Sequence, residues 1–249
     1  MPDMNRAVGI IPARWASTRF RGKPLYLIAG KPLLRRVWER CCRAKELDSV
    51  IIATDDMRVA HAAFEWGAEV ALTSPLHQSG TDRIAEVAKK GKDFAYIINI
   101  QGDEPLIEPR LIDKLVKKLQ SDRKIDIVTA GHPFENEDEA SSPHQVKIIV
   151  DENGIALDFS RAVPSIPPGA KILRHQGIYG FRRKALLQFV KWKPTPLERA
   201  ESLEQLRALE NGVTVHVLVT ATGSPGIDTP EDATALEQKL ARANRRVSS

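Results

Sequence analysis

The stretch Tyr96-Ile97-Ile98-Asn99-Ile100-Gln101-Gly102-Asp103-Glu104-Pro105 is an almost uninterrupted apolar run that ends in a polar turn. Such runs are typical of strands covered on both faces, as in parallel sheets. In open α/β sheets, ligands bind beyond the carboxyl ends of the strands. The stretch therefore predicts a buried strand with Asp103 at the edge of a ligand crevice.

Similar apolar runs alternate with helical patterns through the first half of the chain. The other predicted strands are 7–11, 50–53, 69–72 and 125–129. The predicted helices are 32–44, which begins with Pro32, 57–66, which ends before Gly67, and a helix capped by Thr81 that runs to residue 90. This alternation predicts a doubly wound βαβαβαβαβ arrangement.

The second half of the chain has a different pattern. Runs 146–150 and 155–159 flank Asn153-Gly154, a strong hairpin signal, and predict an antiparallel insertion. A proline-rich loop, a strand at 177–181, a helix at 197–209, a strand at 213–219 and a helix at 230–243 follow. We expect one α/β domain, 1–249, with 131–182 as an inserted subregion.

The composition limits the class of protein. With 249 residues, 42% hydrophobic and 28% charged, the chain suits one large α/β domain and not a disordered or fibrous protein. The net charge of +5 fits either nucleic acid or a small anionic substrate. Part of that excess is at the end of the chain, in Lys239, Arg242, Arg245 and Arg246, where a solvated helix end is the favoured interpretation.

Cysteine usage and hydropathy predict the compartment. Cys41 and Cys42 are adjacent and cannot link distant segments, and no run resembles a signal peptide or reaches transmembrane length. We therefore expect a cytoplasmic protein without membrane insertion.

The loop after the first strand is basic. It contains Arg14, Arg19, Arg21 and Lys23 together with Gly22, which suits a triphosphate whose charge must be neutralised before attack at phosphorus. A solvated basic loop is the alternative, and the position and clustering favour phosphate binding. Neither a Walker loop nor a dinucleotide fingerprint is present.

Two carboxylates are candidates for binding magnesium. Asp103 follows a buried strand, and Asp228 lies in a second loop rich in glycine and proline. Magnesium needs only one or two carboxylates plus phosphate oxygens and water. A turn aspartate and a helix-start aspartate are the alternatives, and each is at least as probable when taken separately.

Further polar positions are weaker signals. The segment 77–83 could bind a base and a phosphate or simply begin a helix. Arg161 and His175 could bind a substrate carboxylate, although lone histidines are more often structural. Glu204 and Gln205 lie in the predicted helix 197–209, where an exposed surface position is the favoured interpretation in isolation.

Taken together, the motifs resemble a known family over about Val8 to Asp232. They are Ile10-Ile11-Pro12-Ala13-Arg14, Ser17-Thr18-Arg19, Gly22-Lys23-Pro24-Leu25, His77-Gln78-Ser79-Gly80-Thr81-Asp82-Arg83, Gln101-Gly102-Asp103-Glu104-Pro105, Phe159-Ser160-Arg161, Arg174-His175-Gln176-Gly177-Ile178-Tyr179-Gly180, Leu203-Glu204-Gln205-Leu206-Arg207 and Asp228-Thr229-Pro230-Glu231-Asp232. Their order and spacing resemble the 3-deoxy-manno-octulosonate (KDO) cytidylyltransferases, also called CMP-KDO synthetases.

The resemblance implies a Rossmann-like nucleotidyltransferase fold of the glycosyltransferase-A-like type, with a mixed sheet, in a homodimer that uses CTP and Mg²⁺. It implies transfer of CMP from CTP to KDO, which feeds lipopolysaccharide assembly. The residue roles that it implies are Ala13, Arg14, Lys23, Ser79, Gly80 and Arg83 at the nucleotide, Asp103 and Asp228 at magnesium, and Gln101, Arg161, His175, Tyr179 and Glu204 at the sugar.

The chain departs from the family pattern at two places. Phe20-Arg21 stands where the family usually has Leu-Pro, and the segment 164–171 is shorter than expected. Transfer to another acidic sugar, such as a sialic acid or an amino analogue of KDO, is the rival within the class. A sugar-1-phosphate nucleotidyltransferase, a Rossmann dehydrogenase and a basic nucleic-acid-binding module are more distant alternatives, and we expect no nucleic-acid partner.

Overall fold

The computed structural model describes residues 5–16, 20–91 and 93–247, with side chains described as far as Arg242. The strands are β1 (Ala7–Ala13), β2 (Leu27–Ile28), β3 (Lys31–Pro32), β4 (Ser49–Thr54), β5 (Glu69–Leu72), β6 (Tyr96–Asn99), β7 (Ile127–His132), β8 (Lys147–Val150), β9 (Ala156–Ser160), β10 (Lys171–Arg182) and β11 (Val215–Val219). The helices are α1 (Leu33–Cys41), α2 (Met57–Glu65), α3 (Gly80–Lys90), α4 (Pro109–Ser121), α5 (Glu137–Ser141), α6 (Arg183–Phe189), α7 (Pro196–Glu201), α8 (Leu206–Glu210) and α9 (Pro230–Val247).

The main sheet is mixed, in the order β11-β7-β10-β6-β1-β4-β5. Strand β1 pairs in parallel with β4 and β6, β4 pairs in parallel with β5, and β11 pairs in parallel with β7. Strand β10 is antiparallel to both of its neighbours, β6 and β7. The predicted mixed α/β sheet is therefore confirmed.

The order of the strands in the sheet departs from their order in the chain at β7. The strand predicted at 125–129 is present as β7, and β10 separates it from β6. All six residues of β7 are buried. Burial on both faces makes a central strand apolar whatever the direction of its partners, so the pattern could not reveal an antiparallel neighbour.

The predicted hairpin is present and extends the sheet. Strand β8 pairs antiparallel with both β9 and β10. In the turn, the Asp151 side chain accepts hydrogen bonds from the backbone N–H groups of Asn153 and Ile155, at 2.9 and 2.8 Å. Gly154 has φ of +77°, which favours glycine at this position. The Asn153-Gly154 signal therefore located the turn correctly.

The predicted helix 197–209 is wrong, because it is two short helices. Helix α7 ends at Glu201; the residue after it, Ser202, has φ of +54°, and α8 begins at Leu206. A buried ion pair joins them: Arg207 Nε and a terminal guanidinium nitrogen lie 2.9 and 2.5 Å from the two carboxylate oxygens of Glu198. Glu204 thus lies in a connection between helices and not on an exposed helical face.

Helices cover both faces of the sheet. One face packs against Leu34 and Val37 of α1 and Leu115 of α4, and the other against Ile84 of α3 and Phe189 of α6. Among the described helices, none is both long and apolar enough to cross a bilayer. Cys41 is buried and Cys42 exposed, and both are free thiols. On α9, Lys239 and Arg242 are exposed.

The Glu198–Arg207 pair gives a test of the α7–α8 connection. We expect Arg207→Met to lower the free energy of unfolding by about 3 kcal/mol, because it leaves a buried carboxylate unpaired. Arg199→Met, an exposed position on α7, is the matched control and should change it by less than about 0.5 kcal/mol. Urea unfolding measures both, and equal losses would contradict the importance of the pair.

Candidate active site

Two adjoining cavities lie beyond the carboxyl ends of β1 and β6. The first, here the polar cavity, has a volume of about 410 Å³ and is lined by Pro12, Ala13, Arg14, Ala16, Lys23, Pro24, Gly80, Arg83, Gln101, Gly102, Asp103 and Asp228. The second, here the inner cavity, has a volume of about 370 Å³; its polar lining includes Thr81, Asn99, Gln101, Arg161, His175, Tyr179, Ser202, Glu204 and Gln205. Gln101 lines both, so the two cavities meet at the turn that follows β6.

Lys23 joins three distant segments at the base of the polar cavity. Its Nζ lies 2.6 Å from Asp103 Oδ2 and 3.3 Å from Asp228 Oδ1, and it donates to the carbonyl of Ile227 at 2.9 Å. The backbone N–H of Ile227 also donates to the carbonyl of Asp103 at 2.9 Å. The structure therefore brings Asp103 and Asp228 together, which the sequence alone could not establish.

The two carboxylates fit a divalent cation that also binds a phosphate ligand. Asp103 and Asp228 present oxygens to one point in space, now shared with Lys23 Nζ. No third histidine, cysteine or carboxylate joins them to form a cluster in the described part of the chain. Magnesium does not need one, because it commonly binds one or two carboxylates plus phosphate oxygens and water.

Close packing shapes the loop after β1. The backbone N–H of Gly22 donates to the carbonyl of Trp15, and a Cβ at Gly22 would lie 3.1 Å from the Trp15 ring. Gly22 has φ of +73° and starts a short 3-10 turn that presents Lys23. Arg14 is exposed at the cavity wall, where its guanidinium lies 3.4 Å from the carbonyl of Gln78.

Phe20 and Arg21, where the sequence departs from the family pattern, lie in different environments. Phe20 is buried and packs edge-to-face on Tyr26, in an apolar cluster that includes Ile227, next to Asp228. Arg21 is exposed and does not line the polar cavity. Of the four cations predicted to hold a phosphate, Arg14 and Lys23 line the cavity. Arg19, with Ser17 and Thr18, lies outside the described residues.

Helix α3 begins between the two cavities. Its cap is Ser79, whose hydroxyl accepts from the backbone N–H of Asp82 at 3.0 Å; the predicted cap, Thr81, is wrong. The Thr81 hydroxyl instead donates to Glu204 Oε2 at 2.5 Å. Gly80 lines the polar cavity, whereas Ser79 lines a neighbouring open cleft together with Glu204.

Arg83 is fully buried at the back of the polar cavity. It donates to Thr73 Oγ1 at 2.5 Å, and a second guanidinium nitrogen lies 3.4 Å from Asp55 Oδ1. Its Nε has no hydrogen-bond partner among the described residues. A buried guanidinium with donors to spare is suited to an anion in this cavity.

In the inner cavity, His175 is held neutral. Its Nε2 lies 2.9 Å from the Tyr179 hydroxyl and 3.1 Å from Thr129 Oγ1. Burial lowers the pKa of His175 to about 3 and raises the pKa of Tyr179. A neutral imidazole can orient a polar ligand but supplies no positive charge to a carboxylate.

Arg161 and Glu204 supply the charges of the inner cavity. Arg161 Nε donates to the carbonyl of Glu201 at 3.0 Å, which fixes the guanidinium. Glu204 accepts from Thr81, and burial raises the pKa of its carboxyl group. Glu204 Oε1 has no hydrogen-bond partner within the described structure. Every predicted sugar residue thus lines this cavity, and the surface interpretation of Glu204 is wrong.

Asn99 and Thr81 also line the inner cavity. The sequence analysis did not single out Asn99, and it named Thr81 only as a helix cap and as part of the segment 77–83. Asn99 Oδ1 is buried and without a partner among the described residues. Asn99 is a polar residue within the apolar run 96–100, and this position was a signal that could have identified it as a cavity residue. Thr81 contacts Glu204, which is 123 positions away in the chain, so nothing in the local sequence predicted this contact.

Comparison with known proteins gives three consistent results. A family model described as "Cytidylyltransferase" matches residues 8–215. The chain is similar to the 3-deoxy-manno-octulosonate cytidylyltransferases of Myxococcus xanthus (strain DK1622), 45% identical over 236 residues, and Syntrophobacter fumaroxidans (strain DSM 10017 / MPOB), 45% identical over 246 residues. These alignments cover 93% and 95% of this chain and 95% and 98% of the relatives.

Among solved structures, a CMP:2-keto-3-deoxy-manno-octonic acid synthetase complexed with CTP superposes with a TM-score of 0.90 at 37% identity. The match covers 96% of this chain and 99% of that protein. The similarity therefore extends over the whole sheet and both cavities.

The buried, neutral His175 predicts a pH dependence of stability. Between pH 6.5 and 3 the unfolded chain binds a proton that the folded protein excludes, so this contribution to stability is present above pH 6.5 and is lost as pH falls. We expect wild type to lose about 2 kcal/mol more than His175→Gln between pH 7 and pH 5. Urea unfolding at both pH values measures this difference.

His61, whose side chain is 75% exposed, provides the control. His61→Gln should lose the same stability as wild type over this interval. Identical pH dependence for wild type and His175→Gln would show that His175 ionises normally in the folded protein.

Proposed function

The chain belongs to the cytidylyltransferase family, within the 3-deoxy-manno-octulosonate cytidylyltransferases, and we propose that it transfers CMP from CTP to the anomeric hydroxyl of KDO. The products are CMP-KDO and pyrophosphate. The geometry fits this reaction because it needs two ligands of different chemistry, an anionic triphosphate and an acidic sugar, whose reacting atoms must meet.

The observation that best supports the proposal is the junction of the two cavities at Gln101. Gln101 Nε2 donates to the carbonyl of Gly177 at 3.2 Å, and the neighbouring Asp103 faces Lys23 and Asp228. A Cβ at Gly102 would lie 3.0 Å from the carbonyl of Pro12, so this turn packs closely against β1. A triphosphate in the polar cavity and a sugar in the inner cavity would therefore bring the α-phosphorus and a hydroxyl to the same turn.

In the proposed reaction the anomeric oxygen forms a bond to the α-phosphorus as the bond to the β-phosphate oxygen breaks, and the hydroxyl proton is lost. Arg14 and Lys23 hold the triphosphate in line and neutralise its charge, and Arg83 lies behind it. Transfers of this kind depend mainly on position and charge. As the resemblance implies, Ala13 and Gly80 in the polar cavity and Ser79 in the neighbouring open cleft would contact the nucleotide.

The inner cavity suits an acidic polyol. Arg161 is its cationic wall residue and would bind the sugar carboxylate, because guanidinium offers paired donors to a carboxylate. Neutral His175, Tyr179, Gln101 and Glu204 would bind hydroxyl groups. Ile127 and Phe181 are among the apolar residues that line the same cavity. A few polar side chains within an apolar lining fix the orientation of a ligand.

The remaining parts of the proposal extend beyond the site. Asp103 and Asp228 would hold Mg²⁺, which when bound would neutralise phosphate charge and lower the pKa of a coordinated hydroxyl. We also propose a homodimer in the cytoplasm, with 131–182 as the subregion for sugar binding and dimer contact in a single domain 1–249. The product would supply lipopolysaccharide assembly.

Pyrophosphate release with each of the four nucleoside triphosphates tests the proposed reaction. We expect release only with CTP, Mg²⁺ and KDO together, because each cavity requires its own ligand. Sialic acid in place of KDO is the control for the sugar. Release with sialic acid but not KDO would change the substrate, and no release with either would overturn the proposal.

Substitution of the two carboxylates tests the proposed metal site. Asp103→Asn and Asp228→Asn should each lower kcat at least about 100-fold, because the site loses charge at the transferred phosphate. Asp126→Asn, at an exposed position just before β7, is the matched control and should leave kcat unchanged. Steady-state rates and circular dichroism are measured together, and a folded Asp103→Asn variant with normal kcat would contradict the assignment.

A further inference from the structure

Lys147 is a buried cation beside the inner cavity. It follows Val146, which lines that cavity, and its side chain is 0% exposed. Its Nζ donates to the backbone carbonyls of Ser142 at 2.5 Å, Gln145 at 3.0 Å and Arg161 at 2.7 Å. An ammonium has three N–H donors, so these carbonyls use all of them. Burial of a charged lysine is costly, and this one joins the segment 142–145 to the backbone of Arg161.

Arg161 is held on two sides. Its backbone N–H donates to Glu201 Oε2 at 3.0 Å and its Nε to the Glu201 carbonyl at 3.0 Å. On the other side, its carbonyl accepts from Lys147, and a terminal guanidinium nitrogen lies 3.4 Å from the carbonyl of Pro143. Pro143 belongs to the segment 142–145, which Lys147 also binds. Lys147 therefore binds the backbone of Arg161 and, through Ser142 and Gln145, both ends of the segment that carries the Pro143 carbonyl.

The two cations also act together electrostatically. Burial and the positive charge of Arg161 both lower the pKa of Lys147. Lys147 contacts only uncharged carbonyl groups through its three donors, so its charge adds to that of Arg161 at the wall of the inner cavity. Two positive charges beside a concave, partly apolar site favour an anion within it.

From this geometry we propose that Lys147 is a positioning residue that prepares Arg161 to bind the carboxylate of the acidic sugar. The inference rests on the proposed function. It predicts that loss of the Lys147 ammonium weakens the sugar and not the nucleotide, because the polar cavity contains neither Lys147 nor Arg161. A purely structural role would instead affect both substrates or neither.

The test is the steady-state KM for each substrate in Lys147→Met. We expect the KM for KDO to rise about tenfold or more while the KM for CTP stays within about twofold. Lys124→Met is the matched control, because it removes an exposed lysine just before β7 and outside the subregion 131–182. This control should change neither KM. If Lys147→Met does not fold, Lys147→Gln keeps two N–H donors without the charge and should show the same selective rise.

A double-variant cycle distinguishes positioning from general disturbance. In the Arg161→Met background, Lys147→Met should raise the KM for KDO by less than about twofold, because its effect passes through Arg161. Three results would overturn the inference. They are an equal rise in both backgrounds, a KM for KDO in Lys147→Met equal to that of Lys124→Met, and a parallel rise in the KM for CTP. If the wild-type protein uses no acidic sugar, the proposed function and this inference both fail. If wild type turns over normally and the Lys147 variants have an unchanged KM for KDO, only this inference fails.

Discussion

The ammonium group of Lys23 is the contact on which the geometry of the site depends. It lies between Asp103 and Asp228, residues 80 and 205 positions away in the chain, and also binds the carbonyl of Ile227. Without a cation between them, the two carboxylates would repel each other across the polar cavity. Lys23 therefore keeps the loops after β1 and β6 and the loop before α9 in one arrangement. A divalent cation would compete for the same oxygens and release Lys23 toward a phosphate.

The position of β10 explains why two cavities of different character adjoin. Strand β10 lies between β6 and β7, in a register that places Tyr179 opposite Asn99. As a result, His175 and Tyr179 extend the inner cavity from the point where β6 ends, while the turn after β6 faces the polar cavity. Gln101 belongs to that turn and lines both cavities. A sheet in which β6 and β7 were direct neighbours would lack these side chains between them.

The strands and the hairpin could be predicted because their signals are local. Continuous apolar runs located β1, β4, β5 and β6, and Asn153-Gly154 located the hairpin turn. The candidate residues came mainly from the order of motifs, since each taken alone favoured an ordinary structural role. The break between α7 and α8 depends on the positive φ of Ser202 and on the buried Glu198–Arg207 pair. The spacing of apolar residues predicts neither feature. Lys147 was not predicted as a site residue, because a lysine in a strand usually indicates an exposed edge. Here its side chain is buried and its Nζ donates to three backbone carbonyls.

If Mg²⁺ binds as proposed, it takes the place between Asp103 and Asp228 that Lys23 Nζ occupies in this structure. Anomalous diffraction from crystals of the protein grown with CTP and Mn²⁺ in place of Mg²⁺ tests it most directly, because the signal locates the metal independently of activity. We expect a manganese peak within coordination distance of both carboxylates, with Lys23 Nζ turned to a phosphate oxygen. A manganese peak bound only to the triphosphate, with Lys23 still between Asp103 and Asp228, would contradict it.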